Sequence, residues 1–96
     1  MKKATQAEID QALQALSGWT VDNGKLHKKY QFAEFVHAFG FMATSAIAIE
    51  RMNHHPEWSN VYNRVEVYLT THDADGITKK DFELAALLDS IARKLA

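Results

Sequence analysis

The residues best suited to proton chemistry crowd into one stretch of a 96-residue chain. Glu50, His54 and His55 lie close together, followed by His72-Asp73 and then Asp81. Imidazole titrates near neutral pH and can both give and take a proton. A histidine pair, a third histidine and two carboxylates brought together could therefore supply general acid–base catalysis. Spacing alone leaves two other readings open. A metal site would also use histidines and carboxylates. Against it, adjacent histidines in extended backbone point to opposite sides, and the helical pair His-x-x-x-His is absent. The third reading is structural, with a turn histidine, a packed histidine and surface carboxylates. Asp73-x-Asp75-Gly76 hints at a calcium loop, but with Gly76 at the sixth position the first ligand would be Thr71 and the twelfth Phe82, which fails the pattern. His27 and His37 read as solvent-facing structural residues. No phosphate loop, nucleophile elbow or dinucleotide fingerprint occurs.

These side chains need elements to hold them. Thr5-Gln6-Ala7-Glu8 reads as a capping box, opening a first helix that Gly18 can end. Trp19 to Phe32 reads as a hairpin turning at Asn23-Gly24, since both residues tolerate positive φ. Phe32 to Asn53 reads as a long second helix that is apolar on two sides. One stripe is Phe32, Phe35, Val36, Phe39, Ala43 and Ala46, expected on the sheet. The other is Phe41, Ser45, Ala48 and Met52, expected on a second subunit. Pro56 cannot continue the helix and pushes His55 toward extended backbone. Asn60 to Thr71 alternates as strand, with Val65, Val67 and Leu69 on one side, and Asn63 is a candidate break. Asp73 to Gly76 reads as a turn, and Thr78 with Asp81 as a weaker capping box for a third helix carrying Leu84, Leu88, Ile91 and Leu95. The order predicts one α+β domain over residues 1–96, an antiparallel sheet with helices on one face. The candidate cluster then sits at a helix end, a strand end and a helix start, where small sites are usually built.

Composition narrows the function classes. The formal net charge is −1 and the lysines are scattered, so the basic stripe of a nucleic-acid binder is missing. No cysteine is present, which excludes disulfides and thiolate metal sites. No segment approaches the roughly 18 apolar residues of a membrane span, and the N-terminal residues lack the apolar core of a signal peptide. The expectation is a cytoplasmic domain. A domain this small has a thin stability margin, for which oligomerisation is a common remedy.

The compound pattern Glu50-x-x-x-His54-His55-Pro56-Glu57-Trp58, Asn60-Val61-Tyr62-Asn63-x-Val65, Leu69-Thr70-Thr71-His72-Asp73, Gly76 and Asp81 resembles the signature of the pterin-4a-carbinolamine dehydratases. Upstream, Gly18-Trp19 and Phe35 to Met42 are similar to the family as well. The resemblance implies an antiparallel four-stranded sheet with three helices packed on one face. It implies dimers or tetramers contacting through helix 33–53. It implies that His54, His55 and His72 are the site histidines, that Glu50 and Asp81 are acidic residues around the pocket, and that Trp19 lies near the pterin. Many members carry aspartate where this chain has Asn53, which keeps the hydrogen-bonding shape without the charge. The implied reaction is loss of water from a 4a-hydroxytetrahydropterin, with no metal or cofactor. His55 and His72 are the expected proton-transfer pair, His54 orients the substrate or serves the opposite stereoisomer, and Asp81 orients a histidine. Glu50 binds the pterin's amino-pyrimidine edge or polarises a histidine. Two alternatives accompany this reading: a dimerisation module for a transcription factor, and a paralogue of molybdopterin metabolism.

Overall fold

The computed structural model describes residues 1–95. Helix α1 (Gln6–Ala15) starts at the expected capping box: Thr5 Oγ1 accepts from the Glu8 amide, and Glu8 accepts from the Thr5 amide. Strands β1 (Thr20–Asp22) and β2 (Lys25–Gln31) form the hairpin. Its turn residues Asn23 and Gly24 sit at φ 55° and 79°, a conformation cheap only for such residues. Helix α2 runs Phe35–Met52, strand β3 Glu57–Val61, strand β4 Arg64–Leu69 and helix α3 Lys79–Leu95, with one 3₁₀ turn at His72–Ala74. The expected break falls at Tyr62-Asn63, so the predicted single stretch becomes two strands, the first starting three residues earlier than its alternation indicated.

The sheet is antiparallel in the order β1-β2-β4-β3. Leu26, Tyr30, Val65, Val67 and Leu69 are buried on one face. The three helices cover that face, supplying Leu84, Ala85, Leu88 and Ile91 from α3 and Ala38, Phe41 and Ile49 from α2. The other face carries Lys25, His27, Lys29, Glu66 and Tyr68 and stays polar.

Helix α2 corrects the assignment of its two stripes. Phe41 and Ser45 are fully buried inside this chain, with Ala48 and Met52 partly buried beside them. Phe35, Val36, Phe39 and Ile47 are 48–71 % exposed. Periodicity shows that two faces are apolar but not which one turns inward. The sheet decides it, because Phe41 fits among Tyr30, Phe32 and Trp58 at ring separations of 4.8, 5.1 and 6.4 Å, within the range of favourable aromatic pairs. Phe41 and Ser45 are thus core residues with Ala48 and Met52 packed at the core's edge, and the face left over is Phe35, Val36, Phe39 and Ile47.

Candidate active site

Three chain segments meet at a cavity of about 430 Å³. The first is the exit of α2. Asn53 adopts left-handed backbone, φ 53° and ψ 42°, which asparagine tolerates better than most residues. Its amide donates to the carbonyls of Glu50 and Ile49, ending the helix. His54 and His55 then leave the helix, and Pro56 starts the approach to β3. The second segment is the end of β4, Thr70 and Thr71, running into His72 and Asp73. The third is the start of α3, represented by Lys80. Asn53, His54, His55 and His72 all line the cavity, together with Glu57.

Each histidine has its own carboxylate, and the three pairs differ in burial. His54 Nε2–H donates to Asp81 Oδ1 at 2.6 Å, with the Asp81 side chain fully buried. A carboxylate only accepts, so this bond leaves Nδ1 as the acceptor that a neutral His54 has left. The second oxygen of Asp81 accepts from Thr71 Oγ1 and from the Thr78 amide, both at 2.9 Å. Thr71 spends its one hydrogen on Asp81, so Thr78 must donate to Thr71 across their 2.7 Å contact. The Lys80 amide donates in turn to Thr78. Every proton in this network has one direction, and the carboxylate cannot turn without breaking it. The predicted capping pair of Thr78 and Asp81 is therefore real, and it also anchors the buried histidine.

The other two pairs are exposed. His55 Nε2–H donates to Glu50 Oε1 at 2.9 Å, in a pair whose side chains are 57 % and 80 % exposed. His72 Nε2 approaches Glu57 Oε2 at 3.4 Å, and Glu57 Oε1 is bonded to Lys25 Nζ at 2.6 Å. The bond from Lys25 is the main reason the Glu57 carboxyl is held below the usual carboxylate range, against a smaller opposing effect of burial. Glu57 had no role in the sequence reading. Its position beside His55-Pro56 was visible, but the two residues it touches come from distant parts of the chain.

Other expected positions fall elsewhere. Trp19 is not among the residues lining this cavity. It is 4 % exposed, and its Nε1–H donates to both oxygens of Asp89 at 3.1 Å. A buried indole needs such an acceptor. Asp89 lies eight residues beyond Asp81 on α3, about 12 Å along the axis. Lys28 and Tyr30 also donate to Asp89, at 2.9 and 2.5 Å. His37 is exposed and pairs with Glu34, as expected of a surface histidine. His27 is less exposed than expected, stacked on Tyr68 at 4.5 Å and bonded to Glu66. Among the described residues, no three His, Cys, Asp or Glu side chains are grouped to hold a metal ion. Within those residues, no helix is long and apolar enough to cross a membrane.

Comparison with known proteins agrees with this architecture. Residues 2–91 match the family model for pterin 4 alpha carbinolamine dehydratase. A protein of Solibacter usitatus bearing the pterin-4-alpha-carbinolamine dehydratase name is 62 % identical over 90 residues, covering 94 % of this chain and 95 % of that one. One of Rhizobium rhizogenes with the same name is 47 % identical over 97 residues, covering 99 % and 96 %. The crystal structure of a transcriptional coactivator/pterin dehydratase from Brucella melitensis superposes with a TM-score of 0.91 at 43 % identity, covering 95 % of this chain and 99 % of that one.

Proposed function

Since the chain belongs to the pterin 4 alpha carbinolamine dehydratase family, we propose that it removes water from a 4a-hydroxytetrahydropterin to give the quinonoid dihydropterin, in support of tetrahydropterin recycling in the cytoplasm. The observation that carries this is one cavity lined by His54, His55 and His72, each paired with a carboxylate. The reaction needs two proton transfers. A general acid protonates the C4a oxygen, and the C–O bond breaks with its electrons leaving on water. The lone pair of the neighbouring ring nitrogen forms the C=N bond, and a base takes the proton from that nitrogen. Acid and base are both regenerated once a proton passes between them or through solvent. His55 and His72, on the exposed side of the cavity, form the proton-transfer pair. His54, fixed by Asp81, orients the substrate through its remaining nitrogen, and Glu50 fixes His55 or binds the amino-pyrimidine edge.

The test is dehydration of enzymatically generated 4a-hydroxytetrahydropterin, followed by ultraviolet absorbance. Wild type should accelerate it. The His55→Ala, His72→Ala double variant should stay folded and lose about 10²-fold or more in kcat. No acceleration over buffer by folded wild type would overturn the proposal.

A second reading draws on the bare face of α2. Phe35, Val36, Phe39 and Ile47 are all exposed on one side of the helix, more apolar surface than scattered single residues require. This side serves as the contact for a homodimer or homotetramer. The structural relative from Brucella melitensis is described as a coactivator as well as a dehydratase. The same face would then be the docking site of a protein-binding module. A partner retained after loss of all three site histidines would favour that role.

A further inference from the structure

We propose that Glu57, held in place by Lys25, is the positioning residue of His72. The proposal rests on the reading of His72 as a proton-transfer residue, and it adds a residue to which no role has been assigned. His72 lies in the short turn after β4, its side chain 78 % exposed. A side chain that open has many rotamers, and proton transfer needs one of them. Asp81 supplies that constraint for His54, through a buried network. Glu57 is the carboxylate that His72 approaches, at 3.4 Å. This separation allows charge pairing but is longer than a well-made hydrogen bond.

Glu57 is itself tethered at backbone and side chain. It is the first residue of β3, paired in register with Tyr68 of β4. Its other oxygen is bonded to Lys25 of β2 at 2.6 Å. The bond from Lys25 holds the carboxyl below the usual carboxylate range, so it can face an imidazolium throughout the range in which histidine titrates. The ammonium also offsets part of the carboxylate's charge. The further titratable groups lining the cavities that Glu57 borders are Asp22 of β1 and Tyr68 of β4 on the sheet side, and His54, His55, Asp73 and Lys80 on the histidine side.

This arrangement predicts opposite signs for its two members. Replacing Glu57 removes a negative charge near His72 and lowers its proton affinity. Replacing Lys25 removes the offsetting positive charge and raises it. The experiment is a proton NMR titration of the His72 ring, with kcat and KM across pH, in wild type, Glu57→Gln and Lys25→Met. The charge change predicts a His72 midpoint that moves downward in Glu57→Gln and upward in Lys25→Met. In Glu57→Gln, kcat should fall about tenfold while KM changes little, and the pH limb belonging to His72 should follow its midpoint. A His72 midpoint unmoved in Glu57→Gln overturns the proposal, as does an unmoved kcat. Wild-type turnover is a separate readout: if it is absent, the dehydratase reading fails, and the titration alone decides whether Glu57 acts on His72.

Discussion

At the scale of single residues, the three histidines are unequal. His54 is held by a carboxylate with no solvent contact, while His55 and His72 sit with exposed partners. Stability and catalysis should therefore separate by residue. Asp81→Ala would leave His54 Nε2 and the Thr78 amide unpaired in a buried site and strip Thr71 Oγ1 of one of its two partners. The expected loss is about 3 kcal/mol or more, read from urea denaturation. Tyr30 gives the pH counterpart. Burial, then its bond to Asp89, pushes its phenol well above the usual range. The protonated phenol is the form the fold favours, so its contribution is complete below the ordinary tyrosine value near 10 and is lost as pH rises beyond it. Tyr30→Phe should be less stable than wild type by about 1 kcal/mol at pH 7, and the gap should narrow above pH 10. A constant gap across that range would show that Tyr30 does not titrate in this way.

At the scale of elements, the site depends on how α2 ends. Asn53 in left-handed backbone stops the helix and releases His54 and His55 into the cavity. An alanine there must either adopt positive φ or let the helix continue. Asn53→Ala should cost about 1 kcal/mol and lower kcat, whereas Asn53→Gly should hold stability within a few tenths of a kcal/mol. Thermal melts with turnover assays check both. Comparable losses in the two variants would point to the side chain of Asn53, which also lines the cavity, and not to its backbone. The start of α3 has the same double duty. The capping pair of Thr78 and Asp81 begins the helix and also fixes His54, so a local sequence signal and a long-range contact share one carboxylate.

At the scale of the molecule, α2 is a helix with two apolar faces and, within one chain, one partner for them. The inward face is Ala38, Phe41, Ser45 and Ile49. The outward face, around Phe39 at 54 % exposure, has no partner within the described residues. Phe39→Glu should leave the melting temperature of the monomer fold near wild type and shift the mass measured by light scattering to that of a monomer. Phe41→Glu should instead prevent folding, because it buries a charge in the aromatic cluster. An unchanged assembly mass in Phe39→Glu would remove this face as the subunit contact.

Local patterns determined much of this protein. The capping box at Thr5, the Asn23-Gly24 hairpin, the stop before Pro56, the alternation of Val65, Val67 and Leu69 and the capping of α3 by Thr78 and Asp81 all depend on residues within a few positions of each other. Backbone sterics and nearby hydrogen bonds decide such features before any packing occurs. The grouping of His54, His55 and His72 was legible as a motif, and the structure places them on one cavity. Tertiary structure alone decided the rest. Which apolar face of α2 turns inward depended on the shape of the aromatic cluster from the sheet. Which histidine received the buried carboxylate depended on where α3 begins relative to the end of α2. Trp19 went to Asp89 and away from the cavity, and Glu57 became linked to Lys25 and His72. Each of these joins residues far apart in the chain, and such pairs form only once the whole fold brings them together; Lys25 and Glu57 meet across β4, which lies between their strands.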